Sequence, residues 1–141
     1  MTIAQRFAQV FGIIYLVVGI LGFIPLLLTD TDLGGILWGP FGGFLIGLFA
    51  VNWFQNLAHL LIGAAGLATF RNPVAARTYA LALGVAYTAL FLLGLVAREI
   101  GTLGGLLPLN VWDDILHLLT ALLAFGAYFV SRGAPATSPR V

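Results

Sequence analysis

The chain alternates long apolar runs with short polar or turn-forming breaks. A helix needs roughly 20 apolar residues to cross about 30 Å of hydrocarbon. Four runs meet that need, about Phe7 to Leu28, Val51 to Phe70, Val74 to Ala97 and Val111 to Val130. Each is predicted to be a transmembrane helix. The breaks are Thr29-Asp30-Thr31-Asp32 with its glycine-rich sequel, Arg71-Asn72-Pro73, and Arg98-Glu99 through Pro108. The first run is too long for a signal-peptide core and no small-residue cleavage site follows it, so it reads as a retained span. The expected organisation is one membrane domain over 1–131 and a disordered cytoplasmic tail over 132–141, where Pro135, Ser138 and Pro139 fall.

The polar positions within these runs repeat. A shift of 72 residues superposes Ala8 on Ala80, Gly12 on Gly84, Tyr15 on Tyr87 and Gly22 on Gly94. A shift of 58 superposes Asn52 on Asn110, Asn56 on Asp114 and His59-Leu60-Leu61 on His117-Leu118-Leu119. Matched Asn, His, Tyr and Gly are rare enough in so apolar a chain to indicate duplication. The predicted fold is therefore an all-α membrane protein, a four-transmembrane-helix bundle of two tandem parallel helical-hairpin repeats (5–70 and 74–131). Two spans per copy give both copies the same orientation, so His59 and His117 come to equal depth.

Composition supports lipid as the main solvent. Hydrophobic residues make up 61% of the 141 and charged residues only 8%, against about a quarter charged in soluble domains. The absence of cysteine excludes disulfides and thiolate chemistry. A net charge of +1 argues against a nucleic-acid partner. Arg6, Arg71, Arg77, Arg132 and Arg140 fall on the side of both termini, with Arg98 alone on the other. The positive-inside rule then places both termini in the cytoplasm; the family resemblance below implies a bacterial plasma membrane. The segment over 30–46, with Trp38, is expected to be an interfacial loop or a lid over the bundle mouth.

Asn52, Asn110 and Asn72 stand where helices begin and are read as N-caps, with Gln55 and Asp113 placed to complete capping boxes. His59 and His117 lie about 10 Å deeper at 1.5 Å per residue. Asn56 and Asp114 precede them by three residues, within reach on one helix face. Three readings of this constellation stay open. The four groups join the second and fourth spans by hydrogen bonds. Alternatively, His59 and His117 ligate haem b. A third reading is a pocket between the repeats, lined also by Tyr15 and Tyr87, that holds a small or lipid-like molecule. Two His and one Asp make a weak metal set, so no metal is expected. Ser131 and Ser138 lie at the opposite end from the histidines, so no catalytic triad forms and enzymatic activity is not expected.

The paired motifs Asn52-x-x-x-Asn56-x-x-His59-Leu60 and Asn110-x-x-x-Asp114-x-x-His117-Leu118 carry a resemblance. Phe11-Gly12 through Gly19, with Gly84 and Tyr87 in the second half, extend it. The chain resembles the domain-of-unknown-function 4383 family of small bacterial proteins predicted to span the membrane four times. The resemblance implies fold and location and no activity. The resulting expectation is a structural or accessory bundle, a homo-oligomer or a subunit of a larger membrane complex. The alternative is a protein that binds haem or an amphiphile near the His pair.

Overall fold

A computed structural model of the chain describes residues 1–29, 41–97 and 106–133. It is mostly helical. Helix α1 (Ile3–Leu21) is followed by a short 3-10 turn (Pro25–Leu27) and strand β1 (Leu28–Thr29). Strands β2 (Gly43–Leu45) and β3 (Phe49–Val51) lead into α2 (Trp53–Thr69), α3 (Pro73–Ala97) and α4 (Val111–Val130). Three of these helices, α1, α3 and α4, are long and apolar enough to cross a membrane. Helix α2 has 17 residues, about 25 Å at the usual rise.

The first apolar run therefore does not stay helical to Leu28. Gly22 caps α1, and Pro25 has no N–H with which to continue the ladder. The chain then turns into an antiparallel three-stranded sheet, β1-β2-β3, with Leu28 opposite Leu45 and Gly43 opposite Val51. This sheet corrects the all-α expectation and gives Gly43–Leu45, in the described end of the segment over 30–46, regular partners. The rest of that segment, including Asp30, Asp32 and Trp38, lies outside the described residues, as do Arg98, Glu99 and Arg140. The β2–β3 turn holds Ile46 at φ 49° and Gly47 at φ 75°. A β-branched residue in that region is uncommon and strained.

The helices are capped by their own first residues. Thr2 and Gln5 form a reciprocal box at α1. Asn52 accepts from the Gln55 N–H, Asn72 from the Val74 and Ala75 N–H groups, and Asn110 from those of Trp112 and Asp113. The Asp113 carboxylate returns the bond to the Asn110 N–H. Gln55 does not complete a box; its amide donates to the Pro108 carbonyl at 3.0 Å. At the end of α4, Ser131 is buried and accepts from the Ala4 N–H at 2.9 Å. The Arg132 carbonyl accepts from Arg77, so the first residue of the expected tail packs on the bundle.

Polarity is inverted relative to a soluble protein. Ile13, Val17 and Ile20 on α1, Leu92 and Leu95 on α3, and Leu118 and Leu122 on α4 all point outward. The interior is built instead from Ala4, Ala8, Ala76, Ala80, Ala121, Ala124 and Ala127 with Tyr15, Tyr79 and Tyr87. Small residues let helices approach closely where lipid gives no hydrophobic drive for them to associate. A Cβ on Gly63 would come within 2.6 Å of the Leu16 nitrogen, and one on Gly66 within 2.7 Å of the Ala8 carbonyl.

Helix α1 packs chiefly along α2, and α3 along α4. Positions 72 or 58 residues apart make matching contacts in the two pairs. Gly12 abuts Leu67 as Gly84 abuts Phe125, and Gly22 abuts Asn56 as Gly94 abuts Asp114. At the sheet end the pairs reach across to each other. Asn52 donates to the Leu106 carbonyl at 3.1 Å, and Asn110 to the Leu48 carbonyl at 2.6 Å. Gln55 holds Pro108, while Asp113 accepts from the Ala50 N–H at 3.1 Å. Every partner in one bond is 58 residues from its counterpart in the other.

Candidate functional site

Four aromatic rings form a continuous row through the middle of the bundle. His59 on α2 packs against Tyr15 on α1 with centroids 5.4 Å apart. Tyr15 meets Tyr87 on α3 at 5.7 Å, and Tyr87 meets His117 on α4 edge-on at 5.1 Å. Tyr15, Tyr87 and His117 are buried. The structure thus gathers His59, His117, Tyr15 and Tyr87 into one place. It does not bond His59 to Asn56, whose fully buried amide turns to the Gly22 carbonyl at 2.6 Å. The Asp114 carboxylate lies against Gly94 and acts electrostatically on His117. In both cases a glycine leaves room on the neighbouring helix for the polar side chain.

The row borders a cavity of about 400 Å³. Its back wall carries Gln55, His59, Tyr87, His117 and Thr120, its sides are Phe11, Ile14, Leu119 and Leu123 of α1 and α4, and the β2–β3 hairpin closes one end with Leu45, Ile46 and Phe49. Pockets for small organic ligands run from about 300 to 1,000 Å³ and combine an apolar lining with a few polar groups.

Three polar atoms of wall residues have no hydrogen-bond partner: Gln55 Oε1, His59 Nδ1 and His117 Nδ1. The Asn56 Oδ1 packed on Gly22 is likewise unbonded. More than 90% of buried polar groups in folded proteins find a partner, because an unmade bond costs about 1–3 kcal/mol. Three such atoms in one wall form an unusual concentration. Asp113 also faces the cavity, but its Oδ2 is held by two backbone N–H groups.

Haem ligation would need both imidazoles on one iron; here His59 packs on the Tyr15 ring and His117 on the Tyr87 ring. Among the described residues no three His, Cys, Asp or Glu side chains come together as metal ligands. Gln55 and Thr120 are the wall residues that the sequence pattern did not single out for binding. Gln55 was masked by its capping-box spacing. Thr120 stood three residues after His117, a polar residue on the same helix face in an otherwise apolar helix.

No curated protein and no solved structure matches the chain. Residues 5–130, nearly the whole of it, match the family described as Domain of unknown function (DUF4383). With that match over the region that holds both His motifs and all four rings, the chain belongs to the DUF4383 family.

Proposed function

We propose that this protein is a ligand-binding protein of the bacterial plasma membrane, with four spans arranged as two duplicated parallel hairpins. The ligand is a small amphiphile held in the cavity beside the four-ring row. One observation carries the reading: Gln55 Oε1, His59 Nδ1 and His117 Nδ1 are buried in the wall of a single cavity without partners. A purely structural or accessory role predicts that the histidines bond the two halves together. That work is done by Asn52, Asn110, Gln55 and Asp113 at the sheet end, while Nδ1 of each imidazole is left without a partner.

The matching contacts at offsets of 72 and 58 support the duplication. Exposed Trp53 and Trp112 at the starts of α2 and α4 suit an aromatic belt at a membrane boundary. Arg6, Arg71, Arg77 and Arg132 gather at the opposite end, which favours a cytoplasmic location for both termini.

The test is mass spectrometry of small molecules extracted from protein purified in its native lipids. A stoichiometric compound that disappears in His117→Phe and Gln55→Leu protein is expected. If wild type and both variants carry identical lipid complements, the reading fails.

A further inference from the structure

Resting on the ligand-binding reading, we infer the ligand's chemical class and its path. It is a neutral amphiphile with a hydroxyl-bearing head on a single hydrocarbon chain, entering from the bilayer between α1 and α4 and laying its chain along that seam.

The cavity has its mouth at the seam. Ile14 on α1 and Leu116, Leu119 and Leu123 on α4 line it and are also exposed on the outer surface, so the opening faces the surroundings of the helices. A second groove continues from it toward the end that holds the N-terminus, sharing Phe11 and Leu123 with the cavity. Phe7, Val10, Leu122 and Gly126 extend this groove. At Gly126 no atom lies within 4 Å of the place a Cβ would take, so that glycine serves no packing contact and leaves the groove open. Together the two spaces run from Leu21 to Ile3 along α1, about 27 Å at 1.5 Å per residue. That is a length suited to a long hydrocarbon chain.

The corresponding seam between α2 and α3 is built differently. Tyr79 stands at the position equivalent to Phe7, and its hydroxyl donates to the Ile62 carbonyl at 3.3 Å. Ile62 in turn occupies the position equivalent to Thr120. At the α1–α4 seam Thr120 stands at that place and bonds the Tyr15 hydroxyl beside the cavity. The groove that continues from the cavity along α1 and α4 selects this seam as the entry.

The head must satisfy the wall. A glutamine carbonyl oxygen only accepts, so Gln55 Oε1 requires a donor, and imidazole and threonine hydroxyl take either role. Among the described residues the only acidic side chain lining the upper cavity is Asp113, already bonded to two N–H groups, and no Arg lines it. An anionic head would face that carboxyl group without a described cation beside it, at a large desolvation cost. A neutral hydroxyl head, from a monoacylglycerol or a prenylated hydroquinone, meets every demand.

The experiment uses the full chain in phosphatidylcholine nanodiscs and native mass spectrometry, with affinities expressed per mole fraction in the bilayer. The probes are monooleoylglycerol and a long-chain prenylhydroquinone, their short-chain homologues, and oleate. At least one long-chain neutral probe is expected to bind one-to-one, about tenfold or more tighter than its short homologue and than oleate. Which of the two binds identifies the source of the hydroxyl head. Gly126→Leu should weaken the long-chain probe about fivefold or more while leaving the short one unchanged, with a melting temperature no lower than wild type because the space is open. Gln55→Leu should weaken both. Equal binding of long and short probes, preference for oleate, or indifference to Gly126→Leu would overturn the inference. Short-probe binding that Gln55→Leu still abolishes would leave the ligand-binding reading standing. No binding by any probe overturns the inference, and the extracted-lipid comparison then decides the reading separately.

Discussion

Placing one methyl group at either of two glycines tests whether the interior is as tightly built as its geometry implies. A Cβ on Gly63 would lie 2.6 Å from the Leu16 nitrogen and 2.8 Å from the Gly12 carbonyl, against an ordinary contact of at least 3.4 Å. Both neighbours are backbone, so no side chain can swing aside. Helices α1 and α2 must part by up to about 0.8 Å, and overpacking of this kind costs about 1–3 kcal/mol. A Cβ on Gly126 meets nothing. Replacing a helical glycine by alanine gains about 0.5–1 kcal/mol from backbone entropy at either position. Gly126→Ala is therefore expected to be stabilised by about that amount, and Gly63→Ala to fall about 1–3 kcal/mol below it. The intrinsic term cancels in the difference, which isolates the helix contact. Reversible unfolding by sodium dodecyl sulfate in mixed micelles, followed by circular dichroism, measures both. Equal stability of the two variants would refute the close α1–α2 approach.

Other positions separate roles that the structure distinguishes. Asn52→Ala loses a cap and a bond to the Leu106 carbonyl, an expected loss of about 2–3 kcal/mol, whereas Asn72→Ala loses only its cap, about 1 kcal/mol. Equal losses in the same unfolding assay would remove the cross-half bond from the account. His117→Phe removes an unbonded buried nitrogen, so ligand-free protein should be unchanged or gain up to about 1–3 kcal/mol; a loss above about 1 kcal/mol would point to a structural hydrogen bond instead. Ser131→Ala orphans the Ala4 N–H and should cost about 1–2 kcal/mol. Hydrogen exchange at Ala4 should quicken, and unchanged protection would contradict that contact.

What could be read from residue order follows from how local each feature is. Helix α4 occupies the predicted Val111–Val130, because an apolar run starting at an Asn cap and ending beside Ser-Arg-Gly is defined by neighbours in sequence. The run from Phe7 to Leu28 was not legible to its end, since a short apolar segment has the same composition in a strand as in a buried helix. Pro25 was the available signal. The caps were legible, but their second bonds were not. Asn52 and Asn110 reach the carbonyls of Leu106 and Leu48 only because the two halves come together. The expected Asn56–His59 bond followed from helical spacing alone. That spacing brings side chains to one face and says nothing of the gap that Gly22 or Gly94 leaves on the opposing helix. The tyrosines were visible as matched positions at offset 72, and their place between the histidines depended on the packing.

The proposed duplication gives the difference between the seams its meaning. Two equivalent hairpins would begin with two equivalent seams, yet here Tyr79 latches one to Ile62 while Phe7 at the matching place stacks on Phe11 with centroids 4.2 Å apart. A single hydroxyl separates Phe from Tyr, so exchanging the pair probes the asymmetry with almost no change in volume. Tyr79→Phe removes the latch and should lower stability by about 0.5–1.5 kcal/mol, the worth of one neutral bond, without altering binding at α1–α4. Phe7→Tyr puts a hydroxyl at the lower groove, where the Thr120 carbonyl is the counterpart of that of Ile62. Latching there should leave stability unchanged or slightly raised and weaken long-chain probes about as strongly as Gly126→Leu. If Phe7→Tyr protein binds those probes as wild type does, the missing hydroxyl at Phe7 is not what keeps the lower groove open, and the entry role of the α1–α4 seam must rest on Gly126 alone.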